Sequence, residues 1–76
     1  MSVMQTYSEI INKWPSIADF AVDVDVYVGL AAVWKHRNSI PPRYWQAIVS
    51  AASARGIEGV SIELFATIAA SKREAA

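Results

Sequence analysis

The stretch SIADFAVDVDVYVGLAAVWKHR, residues 16–37, decides the fold because it admits two incompatible readings. Taken alone, Val22-Asp23-Val24-Asp25-Val26-Tyr27-Val28 alternates apolar and polar side chains, the period of a half-buried β-strand. A strand needs a partner, and every other segment of the chain carries helical spacing, so a lone strand here would leave its backbone groups unpaired. The helical reading meets no such obstacle. Ser16 caps a helix through Asp23 with Ile17, Phe20, Ala21 and Val24 as its inner face, and Asp23-Val24-Asp25 is where the chain turns. A third helix of the chain, from about Tyr27 to His36, then sets Leu30, Ala31 and Trp34 on one side, with Gly29 a weak point costing up to about 1 kcal/mol relative to Ala.

The flanking segments divide into helix-sized pieces at sparse punctuation. Upstream, Thr6 caps a helix to about Lys13, Glu9 three residues on completes a capping box, and Tyr7, Ile10, Ile11 and Trp14 form one buried face before Pro15 ends the run. Downstream, Asn38-Ser39 ends the third helix, and Pro41 and Pro42 suit the entrance to a fourth, where a missing N–H costs nothing. That helix runs from Arg43 to about Ala54 with Trp45, Ile48, Val49 and Ala52 inward, and Gly56 is placed as its C-terminal cap residue. Ser61 opens a fifth with Leu64, Phe65, Ile68 and Ala69, and Ser71 to Ala76 are expected to fray. The expectation is an all-α fold of five short helices forming a single domain over residues 1–76.

Composition narrows the function classes. At 54% hydrophobic residues, with three Trp, three Tyr and two Phe, the chain is too apolar for a disordered segment. It has no cysteine and one histidine, His36, so neither a disulfide framework nor a thiolate zinc site is available, and no metal or other cofactor is expected. No apolar run approaches the roughly 18 residues of a membrane span, and Met1 to Gln5 lack signal-peptide character, so a cytoplasmic location with no membrane partner is the expectation. There is no Gly-rich phosphate loop or nucleophile–base pair, so an enzyme is not expected. Asp23 and Asp25 lack the glycine and closing glutamate of a calcium loop.

Seven basic residues balance seven acidic ones, yet they are unevenly spread. Residues 1–25 carry Glu9, Asp19, Asp23 and Asp25 against Lys13 alone, whereas residues 26–57 carry Lys35, Arg37, Arg43 and Arg55 with no acid. Such a basic segment is the footprint of a nucleic-acid partner, although helical proteins of this size also segregate charge by chance.

Within residues 16–37, Ala21 is the small residue where two helices would touch, and Asp25, four later, sits at the turn. Val26 is the turn's buried anchor, while Ala31 and Trp34 point inward from the second helix. This arrangement resembles the lambda-repressor and Cro-like family of helix-turn-helix domains, with five helices in the same order over most of the chain. The segment Trp34-Lys35-His36-Arg37-Asn38-Ser39-Ile40-Pro41-Pro42-Arg43-Tyr44-Trp45 is similar to short repressor-like proteins of phages and proteobacteria. In those proteins a tryptophan and basic residues end the recognition helix and an Ile-Pro-Pro-Arg-type turn opens the next. The sequence departs from the family in carrying Asp25 where glycine is usual and Ala31 where Val or Ile is usual.

The resemblance implies a lambda-repressor-like bundle that binds double-stranded DNA, with the helix 27–37 in the major groove and Tyr27, Val28, Gly29, Ala32 and Val33 toward the bases. Of these only Tyr27 hydrogen-bonds through its side chain, so preference would rest on thymine methyls, on Tyr27, and on Lys35, His36 or DNA shape. Lys35, Arg37, Arg43 and the first-turn amides of the fourth helix would hold phosphates. Lys35 and Arg37 would equally complement the negative end of their own helix. The function implied is a transcriptional regulator, with repression the expected sign, acting as a homodimer on a two-fold site. Residues 57–70 are the candidate dimerisation region, through Ile57, Val60, Ile62, Phe65, Ala66 and Ala69, unless that helix simply completes the core. The alternative is a small protein-interaction module, antitoxin-like or a phage adaptor, whose apolar face (Tyr27, Val28, Val33) binds a protein partner. Trp14, Trp34 and Trp45 are expected in the core and His36 at the surface.

Overall fold

The computed structural model describes the backbone of residues 6–75 and the side chains of residues 6–71. Its elements are α1 (Tyr7–Ile11), α2 (Ile17–Val24), α3 (Val28–Arg37), a 3₁₀ turn (Pro42–Tyr44), α4 (Trp45–Arg55) and α5 (Ile62–Ala75). The protein is all-helical: residues 22–28 form the end of α2, a turn and the start of α3, and no strand occurs among the described residues.

Local chemistry sets the helix ends. The hydroxyls of Thr6, Ser16 and Ser61 accept from the N–H groups of Glu9, Asp19 and Leu64 at 3.1 Å in each case, which satisfies donors that a helix N-terminus leaves free. At the other ends Asp25, Asn38 and Gly56 take the left-handed conformation, with φ of 61°, 55° and 79°. After each one the chain folds back in the same way. Val26, Ser39 and Ile57 donate their N–H to the carbonyls of Ala21, Trp34 and Ala52, at 2.9, 3.1 and 2.8 Å. These are Schellman-type closures. Val26 and Ile57 then pack against the core as half-buried residues.

Several boundaries differ from the sequence expectations. α1 stops at Ile11, because the N–H groups of Lys13 and Trp14 reach back only three residues, to Ile10 and Ile11, tightening the chain into Pro15. Tyr27 is the extended N-cap of α3 and not its first turn, since the Schellman closure at Asp25 consumes the preceding residues. The prolines open a 3₁₀ turn, so the α-helix proper begins at Trp45 and not at Arg43. α5 continues to Ala75 where fraying from Ser71 is expected; Lys, Arg, Glu and Ala are all good helix formers.

The core is Tyr7, Ile10, Ile11, Trp14, Phe20, Ala21, Val24, Ala31, Trp34, Ile40, Ile48, Ala52, Phe65 and Ile68. It contains the central residues of the inner face expected for each helix. The radius of gyration of the chain, 11.6 Å, is that of a well-packed chain of this length, for which about 11.4 Å is the norm. Aromatic rings run through its centre: Trp14 meets Phe20 edge-on with centroids 5.0 Å apart, Phe20 meets Trp34 at 6.4 Å, and Trp34 meets Tyr44 at 4.7 Å.

Phe65 was a candidate for a dimer surface, and the structure places it in the core. It is fully buried, stacked between Trp45 of α4 (5.3 Å) and Tyr7 of α1 (6.0 Å). Ile57 and Val60 pack against the same core and Ala69 is half-buried, leaving Ile62 and Ala66 as the exposed members of that candidate set. α5 thus completes the core of one chain. A core of this size needs that helix, since α1 has only five residues with which to cover it.

Candidate nucleic-acid interface

The unit that carries the candidate residues other than Arg43 is α2, the turn Asp25-Val26-Tyr27, and α3. Ala21 and Ala31 are both fully buried, which allows the two helices to approach closely. Ala31 and Trp34 hold α3 inward, and everything on its opposite side faces solvent.

That outer side is a single stripe. Val28, Gly29, Ala32, Val33 and His36 recur at i, i+1, i+4, i+5 and i+8, the spacing of one face at about 3.6 residues per turn, and all are exposed. Val28 is 48% and Val33 44% exposed, large values for valines in a helix. Lys35 and Arg37 flank the stripe on opposite sides near its C-terminal end. A methyl group built on Gly29 would meet nothing within 4 Å, so no contact inside the described chain requires a glycine there.

Tyr27 stands apart from the stripe. It lies on the turn, 87% exposed, and lines an open cleft of about 400 Å³ with Asp25, Val26, Leu30 and Tyr44. Arg43, on the 3₁₀ turn, lies against Tyr44: its guanidinium carbon is 5.2 Å from the centroid of that ring, which in turn packs on Trp34. Cation and α3 are thereby linked through aromatic faces. The sequence reading did not single out Tyr44, whose ring lies between the Arg43 guanidinium and Trp34; the signal available was its place between Arg43 and Trp45.

The C-terminal end of α3 is fixed from thirty residues away. Ser8 Oγ donates to the Lys35 carbonyl at 2.7 Å, and the Ser8 N–H donates to Asn38 Oδ1 at 3.0 Å. α1 therefore anchors the turn that carries Lys35, His36 and Arg37. Neither contact is visible in the sequence, because the spacing of 30 residues follows no local period.

The basic segment is smaller than the sequence indicated. Arg55 leaves it: its Nε and Nη2 bind the two oxygens of Asp23 at 2.6 and 3.1 Å, and Trp14 Nε1 also donates to Asp23, at 2.9 Å. These contacts hold the Asp23 carboxyl below its ordinary value, chiefly through Arg55 and then Trp14, and raise Arg55 in return. The cause is geometric, since α2 packs on α4 with Asp23 and Arg55 at the shared end. Lys35, Arg37 and Arg43 make no ion pair among the described residues.

No three His, Cys, Asp or Glu side chains converge to hold a metal among the described residues, and no described helix is long and apolar enough to cross a membrane. Trp14 and Trp34 are buried and Trp45 half-buried, with its indole N–H donating to the Ile40 carbonyl at 3.0 Å, and His36 is exposed. No family model, curated protein or solved structure matches this chain.

Proposed function

We propose that the protein is a double-stranded DNA-binding transcriptional regulator that lays the outer stripe of α3 into the major groove. One observation carries the reading: α3 follows a three-residue turn after α2, presents a face with no role in the core, and bears Lys35 and Arg37 on either flank with Arg43 nearby, none of them in an ion pair among the described residues. In this reading Val28, Ala32 and Val33 touch thymine methyls, Gly29 admits a base edge close to the helix backbone, and His36 or Tyr27 supplies the side-chain hydrogen bonds. The three cations hold phosphates and set register without reading sequence.

Binding that covers a promoter represses by occlusion, so repression is the sign we assign. A two-fold operator with half-sites about one helical turn apart would require two copies to meet. With Phe65 in the core, Ile62 and Ala66 are the exposed apolar residues left for that contact.

The test is binding of the purified chain to a labelled duplex from upstream of its own gene, against a scrambled duplex, across about 50 to 200 mM salt. Preferential binding that weakens steeply with salt is expected. Arg37→Ala and Arg43→Ala should each weaken binding to every sequence and lower the salt slope by about one. No binding even at low salt would overturn the proposal.

A protein partner is the second reading, favoured by the same stripe, in which four of five residues are apolar or glycine. The two separate cleanly in one experiment. If Val28→Asp abolishes activity while Arg37→Ala and Arg43→Ala do not, the apolar stripe binds protein.

A further inference from the structure

Two residues in the turn between α2 and α3 are not the ones that helix ends favour. Position 25 holds a left-handed φ of 61°, a place most often taken by glycine or asparagine, and the chain sets an aspartate there. The Asp25 carboxylate enters no ion pair among the described residues. Position 27 is the N-cap of α3, where a short hydroxyl, carboxylate or amide side chain would satisfy free N–H groups. Tyr27 makes no side-chain capping bond there and is 87% exposed. Neither choice serves its helix end, and both residues line the same cleft. Local preferences given up together at one place mark that place as functional.

We propose that this cleft binds a small organic cation, a primary ammonium carried on a flat apolar body. Its volume, about 400 Å³, lies in the range of small-molecule sites, and the rest of its lining is Val26, Leu30 and Tyr44. Those three are half-buried and pack against the core, so they give the cleft fixed apolar walls. Asp25 is the charged member of the lining. Arg43 lies against the Tyr44 ring yet forms no ion pair with Asp25.

An unpaired carboxylate beside aromatic and aliphatic surface selects a cation with an apolar body over a neutral or anionic molecule of the same shape. The ammonium donates charge-assisted hydrogen bonds to Asp25, and the exposed Tyr27 ring gains an apolar partner and the attraction of a nearby cation. Because the cleft is open to water, which screens the charge contact, affinity should be about millimolar. The proposal rests on no part of the DNA reading. Duplex binding by a chain that binds no amine overturns only the amine site, and amine binding by a chain that binds no duplex leaves that site standing.

The test is titration of the isotope-labelled full chain with phenethylammonium chloride to about 20 mM near neutral pH, followed through its backbone amide resonances. Saturable shifts centred on residues 25–30 and 44 are expected. Hydrocinnamate, a similar body carrying a carboxylate, should not bind. Asp25→Asn removes the charge while keeping a residue that adopts the left-handed conformation, and should weaken binding about fivefold or more. Tyr27→Ser removes the ring and supplies a capping hydroxyl, so it should weaken binding about threefold while thermal stability holds or rises. No saturable shift, shifts centred away from the cleft, equal binding of hydrocinnamate, or undiminished affinity in Asp25→Asn would each overturn the proposal. Circular dichroism checks that both variants keep their helices; if Asp25→Asn does not fold, the two ligands and Tyr27→Ser decide.

Discussion

Arg55 and Asp23 meet edge to edge, Nε to Oδ2 at 2.6 Å and Nη2 to Oδ1 at 3.1 Å, across thirty-two residues of chain. Trp14 donates to the same carboxylate, so one side chain joins the α1–α2 connection, α2 and the end of α4. That joint seats the helix pair of the candidate interface on the rest of the protein.

The joint should show as acid sensitivity. Asp23 has its folded pKa below the ordinary 3.8, through Arg55 first and Trp14 second. A depressed carboxyl contributes stability that is fully present above the unfolded value and is lost as pH falls through the folded one. Thermal unfolding of the wild type should therefore lose stability as pH drops below about 4, and Asp23→Asn should be less stable at neutral pH with a flatter acid limb. Because the two side chains are 34% and 21% exposed, the difference at neutral pH should narrow in high salt. Identical pH profiles for the two proteins would show that the carboxylate is not coupled to folding.

Asn38 does two things that substitution can separate. It holds φ at 55° and accepts from the Ser8 N–H at 3.0 Å. Asn38→Gly keeps the left-handed conformation and loses the bond, and should cost about 1 kcal/mol; Asn38→Ala loses both and should cost about 2 kcal/mol or more. Chemical denaturation of the pair measures the difference, and equal losses would mean that the backbone conformation carries no strain.

Gly29 should behave in opposite senses in the two assays. Gly29→Ala places a methyl in open space within a helix and should stabilise the fold by about 0.5–1 kcal/mol. The same methyl stands on the outer stripe and should weaken duplex binding. A stabilised variant with undiminished binding would remove close approach at this position from the DNA reading.

Phe65→Ala should be the most damaging of these changes. The ring is fully buried between Trp45 and Tyr7, and truncation leaves a cavity costing about 3–5 kcal/mol, much of the stability of a domain this small. Near-wild-type unfolding would instead place the ring at a surface and revive the dimer role for α5.

The helices were legible in the sequence because they rest on local chemistry. Thr6, Ser16, Asp25, Asn38 and Gly56 cap or end helices by contacts within five residues, and the inner faces repeat with the helical period. The exposure of Lys35, His36 and Arg37 was legible for the same reason, since it follows from the period that buries Ala31 and Trp34. Tertiary structure decided what period cannot encode. It took Arg55 from the basic set by placing it against Asp23, moved Phe65 from a candidate interface into the core, separated Tyr27 from the α3 stripe, and tied Ser8 to Asn38. Each of those outcomes depends on which ends of which helices meet, a matter of packing over distances along the chain at which sequence spacing carries no phase.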